Sequence, residues 1–334
     1  MCRVMGMVAA LTLLWPIAAA ADPIDLKLSF FTSDQSAIYQ ASIKPFVDAV
    51  NTAGKNLVHV TVYFSGAISP VQSKQPQLVS DGGADLALIV PGQTPDRFPD
   101  SEVMELPGLF PNTLAASRVF TRLARDGALT GYGDYFVVGA FLSSPEDIHS
   151  RVPVASLADL KNLKVRVNNL TEAGVLQRFG AVPVVLAINQ TTDAVSRGTI
   201  DAATFPPSIL FQFGIGRVTT HHYMIGLGGV PTLLIMNRRK FDSLPPEAQS
   251  IIQKCSGDWL ADESAKQFDA LDADAVKHLE ADPLRTVITP NGSDAKTIQT
   301  IYAQFRADYA DSSDHNRDLL AQVRDQLAKL PATE

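Results

Sequence analysis

An arginine on a short predicted strand is the side chain best suited to ligand chemistry in this sequence. Arg166 lies in the run Leu163–Val167, where apolar residues alternate with Lys164 and Arg166. Its guanidinium carries a fixed charge and a planar fork of N–H donors that matches a carboxylate. Asn168 follows at the carboxyl end of this strand, where α/β sheets bind ligands. We expect Arg166 to hold the carboxylate of a small organic acid; the alternative is a solvated arginine beside Lys164.

Further candidate ligand-binding residues lie in loops at the ends of predicted strands. Phe205 closes the extended run Asp201–Phe205, just before a Pro-Pro turn. Its ring forms either an aromatic wall of the site or part of the packing beneath a hinge. The weaker polar candidates are Asn168, Ser33, Gln35, Ser65, Gln93 and Thr204.

Enzymatic and metal chemistry find little support in the sequence. No G-x-S-x-G nucleophile motif is present, and the Gly-x-Gly pairs lack the third glycine of a dinucleotide-binding loop. The histidines lack metal-ligand spacing, and the adjacent His221 and His222 would point to opposite faces of a strand. We therefore predict no catalytic residue, no metal and no cofactor.

The composition and the N-terminal residues limit the possible class and cellular location of the protein. With 46% hydrophobic residues, 19% charged residues and a net charge of −7, the chain is typical of a globular protein. Its basic residues form no run, which disfavours a nucleic-acid partner. Arg3, the short apolar run Val8–Ile17 and the small residues Ala18–Ala21 predict a signal peptide over residues 1–21. A buried N-terminal helix is the alternative. Cleavage would leave Cys255 as the single cysteine, which fits a periplasmic protein without disulfides.

The order of predicted elements indicates an α/β architecture with two lobes. Predicted strands at Asp25–Phe31, Leu57–Phe64 and Ala84–Val90 are separated by helical segments. We assign residues 22–142 and 230–268 to the first lobe, and residues 143–229 and 269–334 to the second. A Pro-Pro-Glu start after Leu244 predicts a long helix over about residues 245–281, with Gly257 as its weak point. Such a helix could lie across both lobes.

Several segments together resemble the DctP-like family of substrate-binding subunits of tripartite ATP-independent periplasmic (TRAP) transporters. The closest segments are Pro91–Phe110, His149–Val167, the turn from Gly198 to Asp201, and Leu233–Ile252. The resemblance implies a two-lobed, type II-like periplasmic binding protein fold with a long helix spanning both lobes. It also implies that Arg166 forms the salt bridge to the substrate carboxylate. The partners implied are a small organic acid and the small and large membrane subunits, and we expect a monomer.

The sequence departs from the family pattern beside the predicted site. Many members carry an Asn where this chain has Phe205, and Ala202 replaces the usual Gly. We therefore predict an aromatic or other partly apolar monocarboxylate as the ligand, captured in the periplasm and delivered to ion-driven membrane subunits. The alternatives are a C4-dicarboxylate, a hydroxy or sugar acid, or a ligand-sensing protein coupled to a kinase. A periplasmic enzyme acting on small acids is the least favoured alternative.

Overall fold

The computed structural model describes residues 22–331, so the predicted signal peptide, residues 1–21, lies outside the described part, as do residues 332–334. The strands are Ile24–Ser29 (β1), Val58–Tyr63 (β2), Leu86–Ile89 (β3), Tyr135–Leu142 (β4), Asp147–Ser150 (β5), Lys164–Val167 (β6), Val182–Val185 (β7), Ala202–Phe205 (β8), His221–Tyr223 (β9), Pro231–Asn237 (β10) and Thr286–Ile288 (β11). The α-helices are Lys44–Gly54 (α1), Gln75–Ser80 (α2), Thr113–Arg125 (α3), Leu170–Arg178 (α4), Ile188–Ser196 (α5), Pro207–Leu210 (α6), Arg238–Asp242 (α7), Pro246–Lys254 (α8), Asp258–Ala281 (α9), Gly292–Asp311 (α10) and Asp314–Ala328 (α11).

The first lobe is built on a mixed sheet with the strand order β2-β1-β3-β10-β4. Strands β1, β2 and β3 are parallel, whereas β10 runs antiparallel to both β3 and β4. Every residue of β3 and β4 is buried, as continuous apolar strands covered by helices on both faces should be. The chain passes to the second sheet between β4 and β5 and returns between β9 and β10, and these are two of the segments that join the lobes.

The second lobe is built on a sheet with the strand order β11-β9-β5-β8-β6-β7. Strands β6, β7 and β8 are parallel, and β5 is antiparallel to β8 and β9. The core on one face contains Val165, Val167 and Leu176, while Phe205, Ile209 and Leu210 belong to a core cluster on the other side. This alternation places Arg166 and Val165 on opposite faces of β6.

The predicted long helix is interrupted once. Gly257 adopts φ of +72° and ψ of −139°, a conformation that disfavours any side chain, and it separates α8 from α9. The 24 residues of α9 still extend about 36 Å. Leu260 packs in the core of the first lobe and Leu279 in a core cluster of the second, so α9 spans both lobes.

The final helices differ from the predicted division of the chain. The prediction places residues 269–334 in the second lobe, and α10 begins there, with Ile298 and Tyr302 in its core. The last helix, α11, instead packs Leu319, Leu320 and Val323 into the first lobe beside α3. The apolar face of α11 completes the first core, and sequence pattern alone does not reveal which of two cores such a face will cover.

Candidate functional site

A cleft with an empty volume of about 680 Å³ lies between the two lobes. Arg166, Glu146 and Asn168 line it from the second lobe, and Phe268 of α9 closes one side. Most of the lining is apolar. The other hydrophobic residues are Phe31, Ile38, Leu88, Val90, Ile188, Phe205, Pro206, Ile209 and Val230. The cleft is therefore an apolar chamber with few polar groups, the usual character of a small-molecule site.

The second sheet brings its polar groups to one edge. Strands β6 and β8 are parallel neighbours, with Arg166 opposite Ala203, so Asn168 and Phe205 both lie at the carboxyl end of their strands. Strand β5 is antiparallel to β8, and its first residue, Asp147, pairs with Phe205. The residue before β5 therefore lies at this same edge, which places Glu146 beside Arg166.

Arg166 is the largest fully buried side chain described, with 1% relative exposure. Its Nε donates to Leu186 O at 2.9 Å, Nη1 to Thr204 O at 3.2 Å and Nη2 to Asn168 Oδ1 at 3.3 Å. Since a guanidinium has five N–H donors, one N–H remains free on each Nη. Burial lowers the pKa of Arg166, while the nearby carboxyl groups of Glu146 and Glu172 raise it, and the group remains a cation.

Phe205 and Thr204 lie beside this guanidinium in different roles. The Phe205 ring lines the cleft, with its centroid 5.0 Å from the Arg166 Cζ, a cation–π geometry. The ring is also fully buried in the core cluster with Ile209 and Leu210, so it serves as both wall and core. Thr204 is buried and does not line the cleft; its hydroxyl donates to Glu172 Oε2 at 2.7 Å.

Two buried glutamates flank Arg166, and sequence reasoning did not identify either as a site residue. Glu172 lies in the first turn of α4 and is 2% exposed. Its carboxylate accepts from the backbone N–H of Asn168 and from the Asn169 side chain, both at 3.0 Å. Glu146 is also 2% exposed and lines the cleft. Burial and the negative charge of Glu172 raise the pKa of Glu146 well above its usual value.

The lobes touch on either side of the cleft. The Ala37 N–H donates to Gln212 Oε1 at 2.6 Å, and the Thr171 hydroxyl lies 3.5 Å from Glu102 Oε1. Gln93 belongs to the same set of contacts, because its Nε2 donates to Asn168 O at 3.4 Å, and it does not line the cleft. These bonds join first-lobe to second-lobe residues, so the structure represents a closed arrangement.

The predicted first-lobe candidates lie elsewhere. Ser33, Gln35 and Ser65 are exposed, and none of them lines the cleft. The polar residues that the first lobe does contribute are Gln72 and Thr232. The direction in which each loop turns from the end of its strand depends on packing that a single sequence does not encode.

A buried histidine pair supports the wall of the site. His149 Nδ1 and His222 Nδ1 lie 2.7 Å apart, and His149 Nε2 lies 3.1 Å from Phe205 O. Arg285 Nη1 can only donate to His222 Nε2, at 3.4 Å, so we assign Nδ1–H to His222 and Nε2–H to His149. Burial lowers the pKa of His149 to about 4 and that of His222 to about 3, so both rings are neutral. The pair therefore holds the Phe205 carbonyl through one continuous chain of hydrogen bonds.

Two further observations concern the described part of the chain. Among residues 22–331, no group of three or more His, Cys, Asp or Glu side chains is arranged to hold a metal ion. None of the helices described there combines the length and the apolar character that crossing a bilayer requires.

Known proteins share this architecture. A TRAP solute binding protein from a marine metagenome, specific for aromatic acid ligands and bound to metahydroxyphenylacetate, is 26% identical with a TM-score of 0.85, covering 92% of this chain and 99% of that one. A TRAP solute binding protein from Rhodoferax ferrireducens T118, in complex with copurified benzoate, is 25% identical with a TM-score of 0.84, covering 92% and 98%. The C4-dicarboxylate-binding periplasmic protein DctP of Rhodobacter capsulatus is 25% identical over 249 residues, covering 73% of this chain and 74% of that protein.

The family profile of DctP, described as bacterial extracellular solute-binding protein, family 7, matches residues 28–311. This match and the structural likeness confirm the predicted resemblance and the predicted two-lobed fold. Since members of the family bind and deliver solutes, the prediction that the protein is not an enzyme is also confirmed. The chain belongs to the DctP family of bacterial extracellular solute-binding proteins, the binding subunits of TRAP transporters.

Proposed function

We propose that this protein captures an aromatic or other partly apolar monocarboxylate in the periplasm and delivers it to the membrane subunits of a TRAP transporter. The acid binds between the lobes with its carboxylate on Arg166 and its apolar part against Phe205 and Phe268. Asn168 holds the guanidinium in place, and closure of the lobes excludes water from the ion pair, which strengthens it.

One observation carries this proposal: Arg166 is a buried cation in a mainly apolar cleft. No carboxylate of residues 22–331 lies within 4.0 Å of its guanidinium nitrogens, and burying a charge without a direct salt bridge is costly. A ligand carboxylate would supply that partner and would use the free N–H on each Nη. Arg166 is also the one Lys or Arg among the described residues that line the cleft, which supports a ligand with a single carboxylate.

The known ligands of similar proteins support the same class. The marine protein is specific for aromatic acids and the Rhodoferax protein was found with benzoate. Both ligands combine one carboxylate with an apolar ring, as the cleft requires. The family resemblance implies an Asn in many members at the position of Phe205, whose ring supplies apolar surface there.

A C4-dicarboxylate or a sugar acid is the second candidate class, since the Rhodobacter relative binds C4-dicarboxylates. A second ligand carboxylate would meet Glu146 or apolar side chains rather than a second cation. A sugar acid would bury hydroxyl groups against side chains that offer them few hydrogen bonds. Both arguments favour a monocarboxylate.

Residues 1–21 would act as a cleaved signal peptide that exports the chain to the periplasm. A role in transport then requires the small and large membrane subunits, whereas a sensing role would require a kinase partner. Growth on the bound acid distinguishes the two roles. A strain that lacks the membrane subunits but keeps the binding protein should lose high-affinity uptake if the protein serves transport.

The ligand class can be tested by thermal unfolding with a panel of acids, followed by calorimetry. Benzoate and 3-hydroxyphenylacetate should raise the melting temperature, because a ligand at 100 times its Kd stabilises the folded state by about 2.7 kcal/mol. Succinate, malate and gulonate should leave it nearly unchanged. A rise with succinate or gulonate and none with the aromatic acids would overturn the proposed class.

Phe205→Leu provides a matched test of the aromatic wall. Leucine keeps an apolar side chain in the core cluster but removes the ring beside Arg166. The variant should weaken benzoate binding by about fivefold, in line with the loss of about 1 kcal/mol of ring contacts. Binding of isobutyrate, which has no ring to stack, should change much less. Equal losses for the two acids would argue against a wall role for Phe205.

A further inference from the structure

Glu146 has the position of a ligand-binding residue, although no part of the proposed function uses it. It occupies the segment that crosses between the lobes, directly before β5, and it lines the cleft together with Arg166 and Asn168. Its side chain is almost fully buried, and its Oε2 has no hydrogen-bond partner among the described residues. A buried carboxyl oxygen without a partner in a ligand cleft suggests that the ligand provides one.

The surroundings decide which of the two glutamates carries a proton. Glu172 accepts hydrogen bonds from the Asn168 N–H, the Asn169 amide and the Thr204 hydroxyl. Its place in the first turn of α4 further favours a negative charge. Glu146 Oε2 meets no donor from residues 22–331, and the residue faces the negative Glu172. The proton of the pair therefore belongs on Glu146.

We propose that Glu146 is a second carboxylate-recognition residue, a neutral acid whose O–H donates to the ligand carboxylate held by Arg166. This inference rests on the proposed function. With Glu146 neutral, the single cation Arg166 faces two anions, Glu172 and the ligand. With Glu146 ionised, it would face three anions in a buried space. The monocarboxylate therefore binds to the form of the site in which Glu146 keeps its proton, and affinity depends on pH.

The charged and titratable groups around Glu146 agree with this direction. Arg166 on β6 lowers its pKa, but burial and Glu172 on α4 raise it more. Glu105 is itself buried near Glu172, which raises the pKa of Glu105 well above its usual value. Asp147, the next residue along the chain, has its pKa raised to about 7 by burial, with a smaller contribution from the charge of Asp272 on α9. The groups around the pair are therefore mainly acidic, and they oppose a further negative charge.

Calorimetry of benzoate binding between pH 6 and pH 9.5 tests the proposal, because benzoate is fully ionised throughout this range. Affinity should be constant at low pH and then fall by up to tenfold per pH unit once free Glu146 begins to ionise. Glu146→Gln replaces the acid by a neutral group of similar shape that still donates. It should bind benzoate within about threefold of the unmodified protein at pH 6 and lose the pH dependence.

Two further variants complete the design. Glu146→Ala removes the donor and should weaken binding at pH 6 by about tenfold or more, the effect of losing one hydrogen bond to a charged group. Asp147→Asn is the matched control, because Asp147 also titrates near neutral pH but accepts from the Gly226 N–H at 2.9 Å and does not line the cleft. This control should keep the pH dependence of the unmodified protein.

The possible outcomes separate the two proposals. If the unmodified protein binds neither benzoate nor 3-hydroxyphenylacetate at pH 6, the ligand class is wrong and the role of Glu146 is rejected with it. If it binds benzoate with a constant Kd up to pH 9.5, the role of Glu146 alone is overturned. The same holds if Glu146→Gln loses affinity with pH as the unmodified protein does, or if Asp147→Asn is the variant that abolishes the dependence.

Discussion

Arg166→Lys separates the charge of this residue from the shape of its guanidinium. Lysine keeps a positive charge close to Glu172, so no buried anion loses its cation. It removes the planar fork, and a single ammonium cannot reproduce the two parallel bonds that a carboxylate forms with Nη1 and Nη2. The ammonium group also cannot donate hydrogen bonds to Leu186 O, Thr204 O and Asn168 Oδ1 in their present geometry.

The expected loss follows from these contacts. At least one of two charge-assisted hydrogen bonds to the ligand disappears, each contributing about 1.5–3 kcal/mol. Benzoate affinity should therefore fall by about 10- to 150-fold. The backbone acceptors that lose their donor are buried, so the free energy of unfolding should also fall, by about 1–3 kcal/mol.

Isothermal titration calorimetry at pH 6.5 measures the affinity, and urea unfolding measures the stability of the same sample. Arg118→Lys is the control, since Arg118 forms a two-point pair with Asp262 at 2.6 and 2.8 Å in the first lobe and does not line the cleft. The Arg118→Lys variant should lose the two-point salt bridge to Asp262 without a change in the Kd for benzoate. A folded Arg166→Lys protein that binds benzoate as tightly as the unmodified chain would refute the role given to the guanidinium.

Two other predictions concern stability. His149 is buried and neutral with its pKa lowered to about 4, so its contribution to stability is complete above pH 6.5 and is lost as the pH falls below that value. Between pH 7 and pH 5 the free energy of unfolding of the unmodified protein, measured in urea, should fall by about 2 kcal/mol more than that of His149→Gln. His59 is partly exposed, and the control variant His59→Gln should lose as much stability as the unmodified protein. Gly257→Ala should cost about 1–3 kcal/mol in the same assay, because φ of +72° strains any residue with a Cβ. Gly133→Ala, where no atom lies within 4 Å of an added Cβ and φ is not positive, should change stability by less than about 0.5 kcal/mol.

The sequence was sufficient to predict the two-lobed architecture, while the ligand role of Arg166 stays a prediction. Regular alternation of apolar residues in Leu163–Val167 set the two faces of β6, and Arg166 followed from that register. The buried strand β3 could be predicted in the same way, because a continuous apolar run suits a strand with two covered faces. The break at Gly257 was visible as a weak point of the long helix, although the pattern does not distinguish a bend from an interruption.

Glu146 and Glu172 could not be identified from the sequence as site residues. Pro145-Glu146-Asp147 reads as a solvated crossing between lobes, where acidic residues are common. Only the antiparallel pairing of β5 with β8 brings Glu146 to the edge that holds Arg166. One sequence feature could have indicated Glu146: it lies directly before a short strand of the second lobe, at a strand end.

The positions of the loop candidates and of the last helix also depend on long-range packing, which the sequence pattern does not show. Ser33 and Ser65 follow the strands that should carry ligand contacts, yet they turn outward, while Gln72 reaches the cleft from the turn before α2. For α11 the apolar face was recognisable, but its partner was not. The local sequence pattern predicts which face of a helix is buried. Long-range packing determines which element that face packs against.

A crystal structure of the benzoate complex would show directly which residue binds the carboxylate. We predict the carboxylate between the lobes, with its oxygens about 2.7–2.9 Å from Nη1 and Nη2 of Arg166 and the ring against Phe205. A carboxylate bound to any other residue, with Arg166 still bonded only to Leu186, Thr204 and Asn168, would contradict it.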